Sequence, residues 1–187
     1  MHARLVTAAK AFDAGRFDEA RVQLVPVVKE APELAEGREL MGLVRYRLGQ
    51  WKQAVEELEA FRELSGSTEQ HPVLADCHRA LEHWADVDAL WAELGQASPS
   101  ADLVTEGRIV TAGARADRGD TTGAIMLLEK GWKLPKHPRP HHLRRAYALA
   151  DLYERAGRSP RARELFRWVA DHAPDLADVK DRVRALS

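Results

Sequence analysis

Apolar residues return every three or four positions through most of the chain, the period of amphipathic helices with one buried face. Leu5, Val6, Ala9 and Phe12 predict a helix over 3–14. Ala20, Leu24, Val27 and Val28 predict a second over 18–30, and Pro26, lacking a backbone donor, should kink or shorten its last turns. Pro32 is read as opening a helix over 33–48 with Leu40, Leu43, Val44 and Leu48. Trp51, Ala54, Val55, Leu58 and Phe61 mark a fourth, which stops at Ser65-Gly66-Ser67. His71-Pro72 then begins a run with Val73, Leu74, Cys77 and Leu81, continued by Trp84, Val87, Leu90, Trp91 and Leu94.

Past a Gly/Ser/Pro loop at 95–101, Leu103, Ile109, Val110 and Ala114 predict a helix over 102–117. Ala124, Ile125, Leu127, Leu128 and Trp132 continue the pattern. Residues 133–142 read as a proline-broken, histidine-rich connection. From Leu143 to Ala173, Ala146, Leu149, Ala150 and Tyr153 face Ala162, Leu165, Phe166 and Val169. A last helix over 175–186 carries Leu176, Val179, Val183 and Leu186 on one side and mostly charges on the other, the pattern of a solubilising cap.

These helices come in pairs around a recurring turn. Gly15-Arg16-Phe17-Asp18-Glu19-Ala20 returns as Gly49-Gln50-Trp51-Lys52-Gln53-Ala54, and more loosely as Gly119 to Ala124 and Gly157 to Ala162. Glycine suits the left-handed turn that folds one helix back on another, and the small alanine lets two backbones approach. A degenerate copy runs from Glu82 to Val87; without its glycine, that turn should be tighter or differently placed. Ala20, Ala54, Val87, Ala124 and Ala162 are separated by 34, 33, 37 and 38 residues.

A helix-turn-helix unit of this length resembles the tetratricopeptide-repeat family. The family's leucine-glycine pair is matched by Met41-Gly42 and more loosely by Leu149-Ala150, and its following aromatic by Tyr153. Its large residue four positions beyond the small one is matched by Leu24, Leu58, Trp91, Leu128 and Phe166, and its closing proline by Pro32, Pro99 and Pro174. The resemblance implies an all-α, right-handed α-α superhelix, a solenoid of about five helix pairs plus a C-terminal capping helix. On this reading 1–187 is a single domain of units 1–34, 35–67, 68–101, 102–138 and 139–174, with cap helix 175–186 and a flexure at 95–101.

Composition narrows the function. With 187 residues, 45% hydrophobic and 30% charged, the chain is globular, and a net charge of -1 gives no general attraction to nucleic acid or anionic membrane. Residues 69–101 hold six acidic residues against Arg79 alone; residues 139–187 hold eleven basic against seven acidic, too dispersed for a nucleic-acid stripe. No apolar stretch has transmembrane length and the start lacks a signal-peptide core, so a cytoplasmic protein is expected. The single Cys77 is read as a buried small hydrophobe.

No nucleotide loop, metalloprotease pair or nucleophile elbow occurs, so no catalytic residue and no cofactor is assigned and no enzyme is expected. His137, His141 and His142, with His83 or His172, invite a metal reading, but adjacent histidines in a proline-rich loop are read as a solvated connector, and no metal site is assigned. Asp86, Asp88 and Glu93 lack the glycine and spacing of a calcium loop.

The resemblance further implies a concave groove lined by the first helix of each unit, binding a peptide or helix of a protein partner. Carried over by position, the groove is formed by Leu43, Tyr46, Arg47, Arg79, Arg144, Tyr147, Asp151 and Arg155. The family's clamp for a peptide's terminal carboxylate has no counterpart, since Leu5, Ala9, Glu39 and Leu43 stand in its place. A homodimer or regulatory module is the alternative; a small-ligand or nucleic-acid binder is a more distant one.

Overall fold

In the computed structural model, residues 1–97 and 99–186 are described, and they form eleven helices with no strand among them. Two compact units, Met1–Ala97 and Ser98–Ser187, divide the chain within the 95–101 stretch. The first holds three pairs: α1 (His2–Asp13) with α2 (Phe17–Glu30), α3 (Ala35–Arg47) with α4 (Trp51–Ser65), and α5 (His71–Ala80) with α6 (Trp84–Ala97). The second holds α7 (Ala101–Asp117) with α8 (Thr121–Glu129), α9 (Pro140–Arg155) with α10 (Ser159–His172), and α11 (Val179–Ala185) against α10. Both units are tetratricopeptide-type helix-pair stacks, as the repeat predicts.

One turn closes all five pairs. The amides of Gly15, Gly49, Glu82, Gly119 and Gly157 each bond the carbonyl three residues back. The next amide reaches five back: Arg16 to Ala11, Gln50 to Arg45, His83 to His78, Asp120 to Arg115 and Arg158 to Tyr153. This double closure is the Schellman motif, and it needs one residue in the left-handed region. The glycines supply it at φ 72, 70, 88 and 70°. Glu82 adopts the same conformation at φ 60°, so the third turn is neither tighter nor displaced; its cost is backbone strain in place of altered geometry. The residue after the left-handed one also starts the second helix: its carbonyl accepts the amide of Ala20, Ala54, Val87, Ala124 or Ala162. Those five side chains are each 0% exposed.

Several boundaries differ from the sequence reading. Pro26 neither shortens nor ends α2; the carbonyl it leaves without a helical partner belongs to Val22, which is 59% exposed and open to solvent. Pro32 lies in the turn before α3 instead of opening it, and its carbonyl accepts Arg38 Nε at 2.9 Å. α6 continues through Gly95 to Ala97. Trp132 lies beyond the end of α8, edge-on to Trp168 with 6.2 Å between ring centroids and beneath the Arg145 guanidinium at 5.2 Å. The cap helix begins at Val179, not 175: residues 174–178 form turns after Pro174, with Ala177 at φ 49°.

The family's leucine-glycine position has a direct physical basis here. A Cβ on Gly42 would lie 2.6 Å from Leu58 Cγ and Cδ2, and Leu58 is 1% exposed with no room to retreat. Gly42→Ala should therefore lower stability by about 1–3 kcal/mol through overpacking of α3 on α4, read from the urea midpoint. Glu82→Gly should raise it by about 0.5–1 kcal/mol, because relief of the left-handed strain exceeds the added freedom of the unfolded chain.

Candidate interaction surface

In each unit the first helices lie beside one another: α1, α3 and α5 in the first, α7 and α9 in the second. Polar side chains join them. Tyr46 on α3 donates its hydroxyl to Asp76 Oδ2 on α5 at 2.8 Å, and Arg79 Nη1 holds the other oxygen of Asp76 at 3.3 Å. Burial, then the adjacent Asp76 carboxylate, pushes the Tyr46 phenol well above its usual range, so it remains a donor. Arg47 places its guanidinium over the rings of Phe17 at 4.4 Å and Phe12 at 5.9 Å, a cation–π stack across the first turn. Leu43 is half-buried.

The second unit repeats the device. Arg144, Tyr147, Asp151 and Arg155 form a stripe along α9 at spacings that keep them on one face. Arg144 pairs with Glu106 of α7, and the Tyr147 hydroxyl donates to Asp178 at the start of α11. The Tyr147 phenol is raised to about 12, by burial first and then by its bond to Asp178. Asp151 is shared between Arg155 Nε and Arg182 Nη2, each at 2.8 Å. Arg182 also takes Glu154 at 2.7 Å. Of the eight sequence-derived positions, four thus belong to each unit; Tyr46 and Arg79 meet on Asp76, and Asp151 meets Arg155.

The histidine-rich connection is not solvated throughout. α9 begins at Pro140, which suits a first helical position. His142 Nδ1 accepts the Arg139 amide at 3.0 Å, and His141 is buried at 5% exposure against Asp102. The donors do not converge on a point: His141 uses one ring nitrogen toward Asp102 and the other toward His142.

A different group does converge, and it was not assembled from the sequence. His78, at the end of α5, and His83, at the start of α6, face each other Nδ1 to Nδ1 at 3.3 Å. Asp86 Oδ2 lies 3.9 Å from His78 Nδ1, and Glu59 Oε1 lies 3.9 Å from His78 Nε2. Burial lowers the His78 pKa, against the raising effect of Asp86 and Glu59, so the ring is neutral near pH 7. A signal was present in the spacing: positions 78 and 83 are those whose backbones close the Schellman turn, which brings them close in space. Close by, Glu93 joins α6 to α4 through Arg62 at 2.9 Å and to α5 through the buried His71 at 3.1 Å.

No helix among the described residues is long and apolar enough to cross a membrane. Cys77 is fully buried, and burial followed by the nearby Asp76 raises its thiol to about 12. At pH 8 its thiolate is therefore much scarcer than an exposed cysteine's. A colorimetric thiol reagent should therefore react at once in denaturant but only at the opening rate of the folded chain; immediate reaction in buffer would contradict this burial.

No protein-family model and no curated protein matches the chain. Solved structures do. TTC0263, a thermophilic TPR protein of Thermus thermophilus, superposes with a TM-score of 0.74 at 18% identity, over 99% of this chain and 97% of that one. A tetratricopeptide repeat protein from Parabacteroides merdae gives 0.75 at 15% identity, over 98% and 69%. Pseudomonas aeruginosa pilF gives 0.72 at 14% identity, over 99% and 87%.

Proposed function

We propose that this chain, which has the tetratricopeptide-repeat fold, is a protein-binding module that holds a peptide or helix of another protein along the first-helix face of its units. The observation that carries the reading is the stripe Arg144, Tyr147, Asp151 and Arg155 on α9, with its counterpart Leu43, Tyr46 and Arg47 on α3. The polar members are half-buried or exposed, yet already held by intramolecular partners. Groups fixed before binding lose less freedom on binding, which favours recognition. Arginine and tyrosine are also the residue types that dominate binding energy at protein interfaces. Stacked helix pairs present extended faces of this kind. The tetratricopeptide proteins of similar fold support the same class of role. No reaction is assigned to the chain; specificity rests on shape and charge.

Self-association is a second reading, favoured by Val22 and Val25 of α2, which are 59% and 45% exposed. In that case sedimentation should show a dimer between about 1 and 100 µM, in the affinity range of weak complexes, and Val22→Asp should abolish it. A single-chain mass throughout removes this reading.

Peptides selected from a display library on the intact chain provide the test of the first. Binding by fluorescence anisotropy should weaken at least about tenfold in the variant of the unit that holds the peptide, Arg47→Glu for the first or Arg155→Glu for the second, equivalent to losing about 1.4 kcal/mol. Val22→Asp should leave it unchanged. Equal binding by all three variants would place the site away from the first helices.

A further inference from the structure

We infer that His78, His83 and Asp86 form a zinc site at the turn between α5 and α6, with Glu59 orienting the His78 ring from behind. The three residues offer one ligand atom each, and those atoms lie within 4.8 Å of one another. Two imidazoles and a carboxylate are a ligand set typical of Zn²⁺, leaving the fourth tetrahedral position to water. Two nitrogens bound at about 2.0–2.1 Å to one tetrahedral zinc lie about 3.3–3.4 Å apart. His78 Nδ1 and His83 Nδ1 are separated by 3.3 Å. Asp86 Oδ2, at 3.9 Å from His78 Nδ1, needs only a small rotation to complete the set, and its side chain is 59% exposed and free to make it.

The far side of His78 supplies an independent observation. The residue is 6% exposed, and its Nε2 is buried with no hydrogen-bond partner. Such a nitrogen is costly unless it has a role. With Nδ1 on the metal, the ring proton must sit on Nε2, which faces Glu59 Oε1 at 3.9 Å. A carboxylate behind a metal-bound histidine recurs in zinc sites, where it fixes ring orientation and tautomer. Arg62 Nη1 in turn anchors Glu59 Oε2 at 3.0 Å.

The scaffold brings the ligands together before any ion arrives. The His83 amide donates to the His78 carbonyl at 2.9 Å, the long bond of the Schellman turn, which sets the two side chains against each other. In the second pair the same two positions hold Arg45 and Gln50, and their side chains are hydrogen-bonded. Asp86 follows His83 by three residues, on the same face of α6. A bound zinc ion would tie the end of α5 to the start of α6 across the one turn that uses glutamate where the others use glycine.

Calorimetric titration of the metal-free chain with zinc chloride, with Co²⁺ absorption as a second readout, tests this site. One equivalent should bind, with the visible spectrum of tetrahedral cobalt. His83→Ala should weaken binding by at least about 100-fold, Asp86→Ala by at least about tenfold, and Glu59→Gln by about tenfold, the range seen when the partner behind a ligand is lost. His83 and Asp86 are exposed, so their variants should keep wild-type helicity, and His137→Ala should bind as wild type. No zinc binding by the wild type, or full affinity in either ligand variant, overturns the proposal and leaves the histidine pair as a plain N–H···N hydrogen bond. Neither result bears on peptide binding at the first-helix face, which is read separately.

Discussion

The helix pairs of this structure depend on a reversal that takes only three residues between one helix and the next. A helix ends, one residue takes a left-handed conformation, and the next is already the cap of the following helix. So short a connection forces the two helices together near the turn, and there only a small or slim side chain fits. Alanine at four of the five positions, and valine at the fifth, answer that steric demand. The turn's two hydrogen bonds also satisfy carbonyls that would otherwise be left bare at each helix end. Packing and polar satisfaction are thus settled by the same few residues, which is why the motif recurs when most of the surrounding sequence does not.

A turn of fixed geometry brings two backbone positions close, and in two of the five pairs their side chains meet. In the second pair the two closing positions are Arg45 and Gln50; in the third they are His78 and His83. The fold supplies proximity, and the sequence decides what is made of it. Stacking of successive first helices acts in the same way. Tyr46 reaches Asp76 thirty residues on, and Tyr147 reaches Asp178 thirty-one residues on. These are links between neighbouring layers before they are candidate binding groups. A substitution there removes a layer contact as well as a surface feature, so loss of binding has meaning only beside an intact fold.

The parts of the fold legible in the sequence are those set by period and small residues. The helix pairs, the buried alanines and the glycine turns need only local rules, and Gly42 adds a close approach that its neighbour Leu58 explains. What stayed hidden depends on context. Pro32 follows a helix end, and no local rule separates closing one element from opening the next; the structure puts it in the turn. Pro140 starts a helix that the preceding prolines disguise, carrying His141 into a buried position beside Asp102. Glu82 masks a turn whose backbone is the same as its neighbours'. The histidine pair went unread for that reason: once residue 82 is not recognised as the left-handed residue, nothing marks 78 and 83 as partners.

On the proposed reading, recognition falls to the polar side chains of the first-helix face. Its arginines are not loose: Arg47 rests on two aromatic rings, and Arg155 is bonded to Asp151. A partner carboxylate approaching Arg155 would compete with Asp151, so the gain from a new ion pair is reduced by the one it displaces. Arg47 differs, because a ring face neutralises no charge. It keeps a full positive charge, held in place by stacking that excludes no anion from the guanidinium's edge. On the proposed reading, Arg47 and the arginines of α9 would therefore meet an acidic or carbonyl-rich segment differently: Arg47 would keep its ring stack, whereas Arg155 would have to share or release Asp151.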